Sequence, residues 1–279
     1  MNLDSYIKKK EKEALENKLD PTGVKYILIE LYYKDYYHLL NSLNETIDEI
    51  EYDKVINKYV KEKKSCQYIL GYQYFYGRKF CVNPNVLIPR SETELLVEKA
   101  IELVNTYNIC NILDIGTGSG IIPITLSKEV KKKINIDAVD ISKDALDVAI
   151  NNYTNLCDTN NSKINFIESD LFSNCNNKYD LIISNPPYIP ETYEVDEYVR
   201  CNEPNIALYG GVDGLDIYKR IINDLGKFLN NNGYVLFEIG YDQGESIKKL
   251  ILERYSNAKV IIYKDYNQLD RIVFIQIGE

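Results

Sequence analysis

The sequence predicts an α/β protein, a mostly parallel sheet preceded by a small helical domain, and three observations carry that expectation. From Ser91 onward, short apolar runs alternate with stretches of helical period. A glycine-rich segment, Gly116-Thr117-Gly118-Ser119-Gly120, separates one apolar run from the helical stretch that follows it. Two closing apolar runs, Lys259-Val260-Ile261-Ile262 and Arg271-Ile272-Val273-Phe274-Ile275, are joined by a short polar loop. Strand–helix alternation implies parallel neighbours with helices on both faces. A short loop joins antiparallel strands, so one reversed strand is expected at one side of the sheet.

Residues 2–66 read as helical. Asp20-Pro21-Thr22 is a helix start, and Val24, Ile27, Leu28 and Leu31 recur at spacings of three and four. A further helix is expected over residues 52–63. From Tyr68-Ile69-Leu70-Gly71 to Val86-Leu87, including Phe75-Tyr76-Gly77-Arg78-Lys79-Phe80, the pattern is a short hairpin-like connector. The expected domains are therefore 1–70, helical; 71–90, the connector; and 91–279, α/β. Within the last, residues 92–106 form a helix with Ser91 as its cap. Strands follow near Ile112, Ile136, Ile164, Leu181 and Val235, and the closing pair brings the count to seven. No internal repeat or low-complexity linker interrupts the chain.

Composition sets limits on function. The 279 residues are 45% hydrophobic and 27% charged, as in soluble globular proteins. No run approaches a membrane span, and the first twenty residues are rich in Lys and Glu, unlike a signal peptide. Six scattered cysteines (Cys66, Cys81, Cys110, Cys157, Cys175, Cys201) with no Cys-x-x-Cys pair suggest reduced thiols in a cytoplasmic protein. The single histidine, His38, argues against a zinc site and against histidine-based acid–base chemistry, and a partly buried structural role is expected for it. A net charge of −9 lowers the expectation of nucleic-acid binding, because gripping a phosphate backbone needs a clustered basic surface. Lys131-Lys132-Lys133 reads as a solvated turn between helix and strand.

The glycine segment carries chemistry. Ile112 to Ile115 reads as a buried parallel strand and residues 121–128 as a helix, with Pro123 tolerated in its first turn. Glycines there let backbone approach a ligand closely, and the helix N-terminus offers unpaired N–H groups. The dinucleotide fingerprint Gly-x-Gly-x-x-Gly is excluded because Ile121 stands where its third glycine belongs. A P-loop is excluded by the absence of Gly-Lys-Ser/Thr. Asp140, ending the next strand, is placed to bind both hydroxyls of a ribose. Asp114, just before the loop, can hold loop amides or, through water, a ligand's ammonium group.

Asn185-Pro186-Pro187-Tyr188 directly follows the apolar run Tyr179-Asp180-Leu181-Ile182-Ile183-Ser184. Neither proline can donate to a ladder and each fixes its own φ, so the strand must stop in a rigid corner. Open α/β sheets place ligands at that end of their strands. The corner offers an amide side chain, a backbone carbonyl on Pro186 and an aromatic ring. That set suits a planar NH2 group, with two acceptors for its hydrogens and a ring against its plane.

The order Asp-x-Gly-x-Gly-x-Gly, an acid after the second strand, and Asn-Pro-Pro-Tyr after the fourth resembles the class I S-adenosylmethionine-dependent methyltransferases. More narrowly, the chain resembles the HemK-type glutamine methyltransferases that modify peptide chain release factors. Tyr68-Ile69-Leu70-Gly71 and Leu87-Ile88-Pro89-Arg90-Ser91-Glu92-Thr93-Glu94 look like that family's connector and the lead-in to its catalytic domain. Glu203-Pro204-Asn205-Ile206-Ala207-Leu208, Gly210-Gly211-Val212-Asp213-Gly214-Leu215 and Glu238-Ile239-Gly240 are similar to later family blocks. Ser91 departs mildly from the family's usual proline.

The fold that the resemblance implies is a Rossmann-like sheet of seven strands, mostly parallel with one antiparallel. It assigns Gly116, Thr117, Gly118, Ser119 and Gly120 to the methionine part of S-adenosyl-L-methionine and Asp140 to its ribose. Asp170 would take the adenine amino group and Leu171 would contact the ring. Asn185 and the Pro186 carbonyl would hold a glutamine side-chain NH2, with Tyr188 over the amide and Pro187 stiffening the corner. The reaction implied is an in-line displacement by a poor nucleophile, so the site's task is to hold the nitrogen in near-attack geometry. The partner implied is a release factor presenting the glutamine of its Gly-Gly-Gln loop, docked by the helical domain, with residues 190–198 as an acidic loop beside the site. A monomer is expected, with no nucleic acid, membrane or metal. An N6-adenine or N2-guanine methyltransferase acting on DNA or RNA is the alternative enzyme, since an exocyclic amine on a flipped base poses the same geometric problem. A cofactor-binding protein with a decayed site is the alternative outside catalysis.

Overall fold

The computed structural model describes residues 1–157 and 162–278, so the expected domain end at 279 lies outside it. The chain divides into two compact units, Met1–Tyr72 with Asp196–Asn202, and Gln73–Val195 with Glu203–Glu279.

The first unit holds α1 (Leu3–Glu16), α2 (Thr22–Tyr32), α3 (Tyr36–Asn41), α4 (Glu49–Val60) and α5 (Cys66–Leu70). Leu3, Tyr6 and Ile7 of α1, Val24, Ile27 and Leu28 of α2, and Ile56 and Val60 of α4 share one core. Their three- and four-residue spacing turns one stripe of each helix inward. The helix expected over residues 52–63 begins three residues earlier, because Asp48 accepts from the Ile50 amide and starts it. Tyr68-Ile69-Leu70, read as part of the connector, is helical instead. Ser65 caps α5, and Gly71 ends it in the left-handed conformation at φ 80°. His38 is exposed rather than partly buried, with Nδ1 2.7 Å from Asp35.

From Gln73 the second unit opens with the rest of a hairpin formed by β1 (Tyr72–Phe75) and β2 (Arg78–Cys81), turned at Tyr76-Gly77 with φ of 49° and 72°. Then come α6 (Glu92–Thr106), β3 (Asn111–Ile115), α7 (Ile121–Glu129), β4 (Asn135–Asp140), α8 (Lys143–Leu156), β5 (Lys163–Glu168) and β6 (Tyr179–Ser184). After the short helix α9 (Glu197–Asn202), which belongs to the first unit, follow α10 (Asp216–Phe228), β7 (Leu229–Glu238), α11 (Gly244–Arg254), β8 (Lys259–Lys264) and β9 (Asp270–Gln276). The seven strands run β5-β4-β3-β6-β7-β9-β8. Only β9 is reversed, antiparallel to both β7 and β8. It lies second from the edge.

Alternate residues of each central strand enter different cores. Ile112, Ile136, Leu181 and Leu236 pack with α6 and α7, whereas Leu113, Val139, Ile182 and Val235 pack with α10 and α11. Burial on both faces is why these strands are continuous apolar runs. Ser91 does not cap α6. It is already helical (φ −61°, ψ −30°) and makes no capping bond, its hydroxyl going to Glu92.

Candidate active site

The loops leaving β3, β4, β5 and β6 open onto one cleft at the carboxyl ends of the strands, wholly within the second unit. Parallel strands in register place their ends side by side there: Ile115 pairs with Val139 and with Ser184. The Ser184 hydroxyl donates to the Ile115 carbonyl at 2.7 Å, tying the end of β6 to the end of β3.

Gly116, Thr117, Gly118 and Ser119 line the cleft. Gly116 and Gly118 have φ of 75° and 54°, and a Cβ on Gly118 would meet no atom within 4 Å, so bare backbone faces open space. Gly120 is different. It does not line the cleft, and a Cβ there would press on Ile124 at 3.0 Å and Ala149 at 3.2 Å. Its work is to let α7 pack against α8.

The loop amides do not go to Asp114, as expected, but elsewhere. Those of Gly116 and Thr117 donate to the Val139 carbonyl at 2.9 and 3.0 Å, and that of Gly118 to Asp140 at 2.9 Å. Asp114 is fully buried behind the cleft wall, and neither carboxylate oxygen has a partner. Burial pushes its carboxyl up to about 7, and the neighbouring Asp140 adds to the rise. Asp140 lines the cleft. Its carboxyl is also raised, chiefly by burial, although the Ser142 and Gly118 amides favour its charge. Asp170 lines the cleft too, holding Arg220 at 2.7 Å. Leu171 beside it sits at φ 50°, strained for a leucine, where the Ser169 hydroxyl donates to its carbonyl.

Asn185, Pro186 and Pro187 form the facing wall. Asn185 Nδ2 donates to Thr93 Oγ1 at 3.2 Å, leaving Oδ1 as an acceptor. Among the described residues no donor takes the Pro186 carbonyl. Tyr188 is partly buried against the apolar cluster beneath the corner, and its carbonyl accepts from Gln243. The corner needs close neighbours without side chains. A Cβ on Gly210 would lie 2.5 Å from the Pro187 carbonyl oxygen, and one on Gly214 would lie 2.3 Å from that of Tyr188.

Four contributors escaped sequence reasoning as site residues: Thr93, Arg90, Glu203 and Glu238. Arg90 lines the cleft and is held by buried Glu203, whose other oxygen takes the Ile88 amide at 3.1 Å. Glu238, ending β7, is 2% exposed, and its Oε2 has no partner. The sequence blocks containing all four were visible, but nothing local marks their pairing. Residues 190–198, expected as a loop, turn helical at Glu197.

The open backbone cradle, the two acids on its rim and the apolar strip of Ile115, Ile141 and Leu171 fit S-adenosylmethionine. Hydroxyls and an amino group find acceptors, and a flat ring finds an apolar wall.

Residues 91–200 match the Methyltransferase small domain family. A methyltransferase from Pyrococcus furiosus of known structure aligns with a TM-score of 0.51 at 18% identity over 82% of this chain and 96% of that one, a likeness of fold. The release factor glutamine methyltransferase of Bacillus subtilis is 42% identical over 247 residues, 84% of each chain. That of Fusobacterium nucleatum subsp. nucleatum is 40% identical over 98% of this chain and 78% of its own. With relatives this similar over most of its length, the chain belongs to the release factor glutamine methyltransferase family.

Proposed function

We propose that this protein methylates the side-chain amide nitrogen of a glutamine, the one in the Gly-Gly-Gln motif of peptide chain release factors, with S-adenosylmethionine as donor. The observation that carries the reading is the corner: Asn185 Oδ1 and the Pro186 carbonyl are two acceptors on stiff backbone, in the same cleft as the glycine cradle. S-adenosylmethionine, when bound, supplies a methyl group activated by a positively charged sulfur.

The chain's own residues do the positioning. Asn185 and Pro186 accept the two hydrogens of the carboxamide, which fixes the direction of the nitrogen lone pair. They also stabilise positive charge developing on that nitrogen. Pro186 and Pro187 remove backbone freedom, and Gly210 and Gly214 let other backbone pack against the corner from behind. Asp140, Asp170 and Leu171 would hold the nucleoside part of the donor. The charged side chains lining the cleft are Arg90, Asp140, Asp170 and Arg220, and none stands on the corner, so the nitrogen's proton leaves to water after the new bond has formed. The helical first unit would dock the release factor, in the cytoplasm where that substrate is found.

The test is direct. The protein is incubated with methyl-labelled S-adenosylmethionine and either a release factor or nucleic acid. Label on the Gly-Gly-Gln glutamine supports the reading, and label on a base amine overturns it.

A further inference from the structure

We infer that Asn152 is a positioning residue for methyl transfer: it locks the cofactor loop to the segment 81–93, and so sets how far the glycine cradle stands from the Asn185-Pro186 corner. The inference rests on the glutamine reading above and deepens it.

Asn152 lies on α8 with no exposed surface, and its carboxamide is spent entirely on backbone. Oδ1 accepts from the Cys81 amide at 2.7 Å, while Nδ2 donates to the Cys81 carbonyl at 3.0 Å and to the Ser119 carbonyl at 2.9 Å. All three partners are main-chain groups of fixed polarity. Rotated by half a turn, the amide would set its NH2 against the Cys81 N–H and its oxygen against carbonyls, so its direction is determined. One side chain thereby ties the end of β2 to the loop after β3. Ser119 lines the cleft and stands between two left-handed glycines, Gly118 at φ 54° and Gly120 at 79°, the backbone least able to hold a shape by itself. The amides of Gly116, Thr117 and Gly118 are held by β4, and Asn152 holds the Ser119 carbonyl that follows them.

The other side of the lock is a short, stiff strap. After Cys81 the chain turns at Asn83-Pro84-Asn85, where the Val86 amide donates to the Asn83 carbonyl at 3.1 Å and the Asn85 amide to the Asn83 side chain at 2.9 Å. Asn85, Val86, Leu87, Pro89, Arg90 and Thr93 then line the cleft. Buried Glu203 grips the strap in its middle through the Ile88 amide, and Thr93 near its end accepts from Asn185 Nδ2. The strap is thus pinned to the cofactor loop at Cys81 and to the corner at Thr93. Losing the first pin leaves both halves of the site built but free to drift, and transfer to a poor nucleophile falls steeply with such drift.

The experiment uses the full-length protein, S-adenosylmethionine and a Gly-Gly-Gln peptide, with Asn152→Ala and a control, Leu156→Ala, which removes core packing at the end of the same helix. Asn152→Ala is expected to slow single-turnover transfer ~10- to 100-fold with cofactor and peptide both saturating, and Leu156→Ala to stay within ~3-fold although it too lowers the Tm. An unchanged saturated rate in Asn152→Ala, or equal slowing in the control, would overturn the inference. Hydrogen exchange reads the lock without any chemistry. Saturating cofactor should slow exchange of the Val86 and Ile88 amides ~10-fold in the wild type and leave them unchanged in Asn152→Ala. No slowing in the wild type, a result that needs no variant to fold, or the same slowing in both proteins sinks the inference. A wild type that shows this difference yet labels no glutamine supports the lock and refutes the functional reading alone.

Discussion

Two turns stand side by side at the ends of paired strands, yet they build their halves of the cleft by opposite means. After β3 the chain removes side chains: Gly116, Gly118 and Gly120 take left-handed backbone, and the loop amides of residues 116–118 are held by Val139 and Asp140. After β6 it removes backbone freedom, with two prolines, and concentrates chemistry in one side chain and one carbonyl. The first turn is therefore sensitive wherever a side chain is added. The second is sensitive where one is taken away. Fold and function should come apart on one side and fail together on the other.

The largest effect expected is at Asn185. Asn185→Ala should cut the single-turnover rate ~10²- to 10³-fold, as loss of a charge-stabilising group does, while thermal stability and cofactor affinity hold. Loss of stability in step with the rate would break the contrast. Gly120→Ala should behave oppositely. It forces alanine into φ 79° against Ile124 and Ala149, so ~3 kcal/mol of folding stability should be lost in denaturant titration, with cofactor affinity falling alongside.

Asp114 sharpens the comparison through pH. Its carboxyl lies near 3.8 in the unfolded chain and about 7 when buried. Between those values the folded protein holds a proton that the unfolded chain has lost, so stability falls as pH rises across that window and is level above it. Asp114→Asn removes the dependence, and its Tm should gain on the wild type from pH 5 to pH 8 by the equivalent of ~2 kcal/mol. A difference that stays constant with pH would show that Asp114 is ionised throughout. Smallest of all, Ser91→Ala should change stability by less than ~0.5 kcal/mol in the same titration, because Ser91 makes no capping bond.

The sheet was legible in the sequence because doubly buried strands leave nothing but apolar runs, and because glycines and prolines punctuate both turns. The reversed strand followed from a loop too short for a crossover. What could not be read is whatever depends on partners far apart in the chain. Asn185 and Thr93 are 92 residues apart, and Arg90 and Glu203 are 113 apart. Helix ends failed for a related reason: Ser91 has the right chemistry for a cap but the wrong backbone, whereas Asp48 was overlooked as one.

The position of β9 has its own consequence. Among the described residues β8 pairs with β9 alone, and β9 follows it in the chain. While the polypeptide is being synthesised, β7 must wait with a bare flank and β8 with nowhere to go until the reversed strand emerges and slots between them. Closure of that side is then a late, all-at-once event, and a nascent chain halted before Asp270 should be the form that chaperones hold longest.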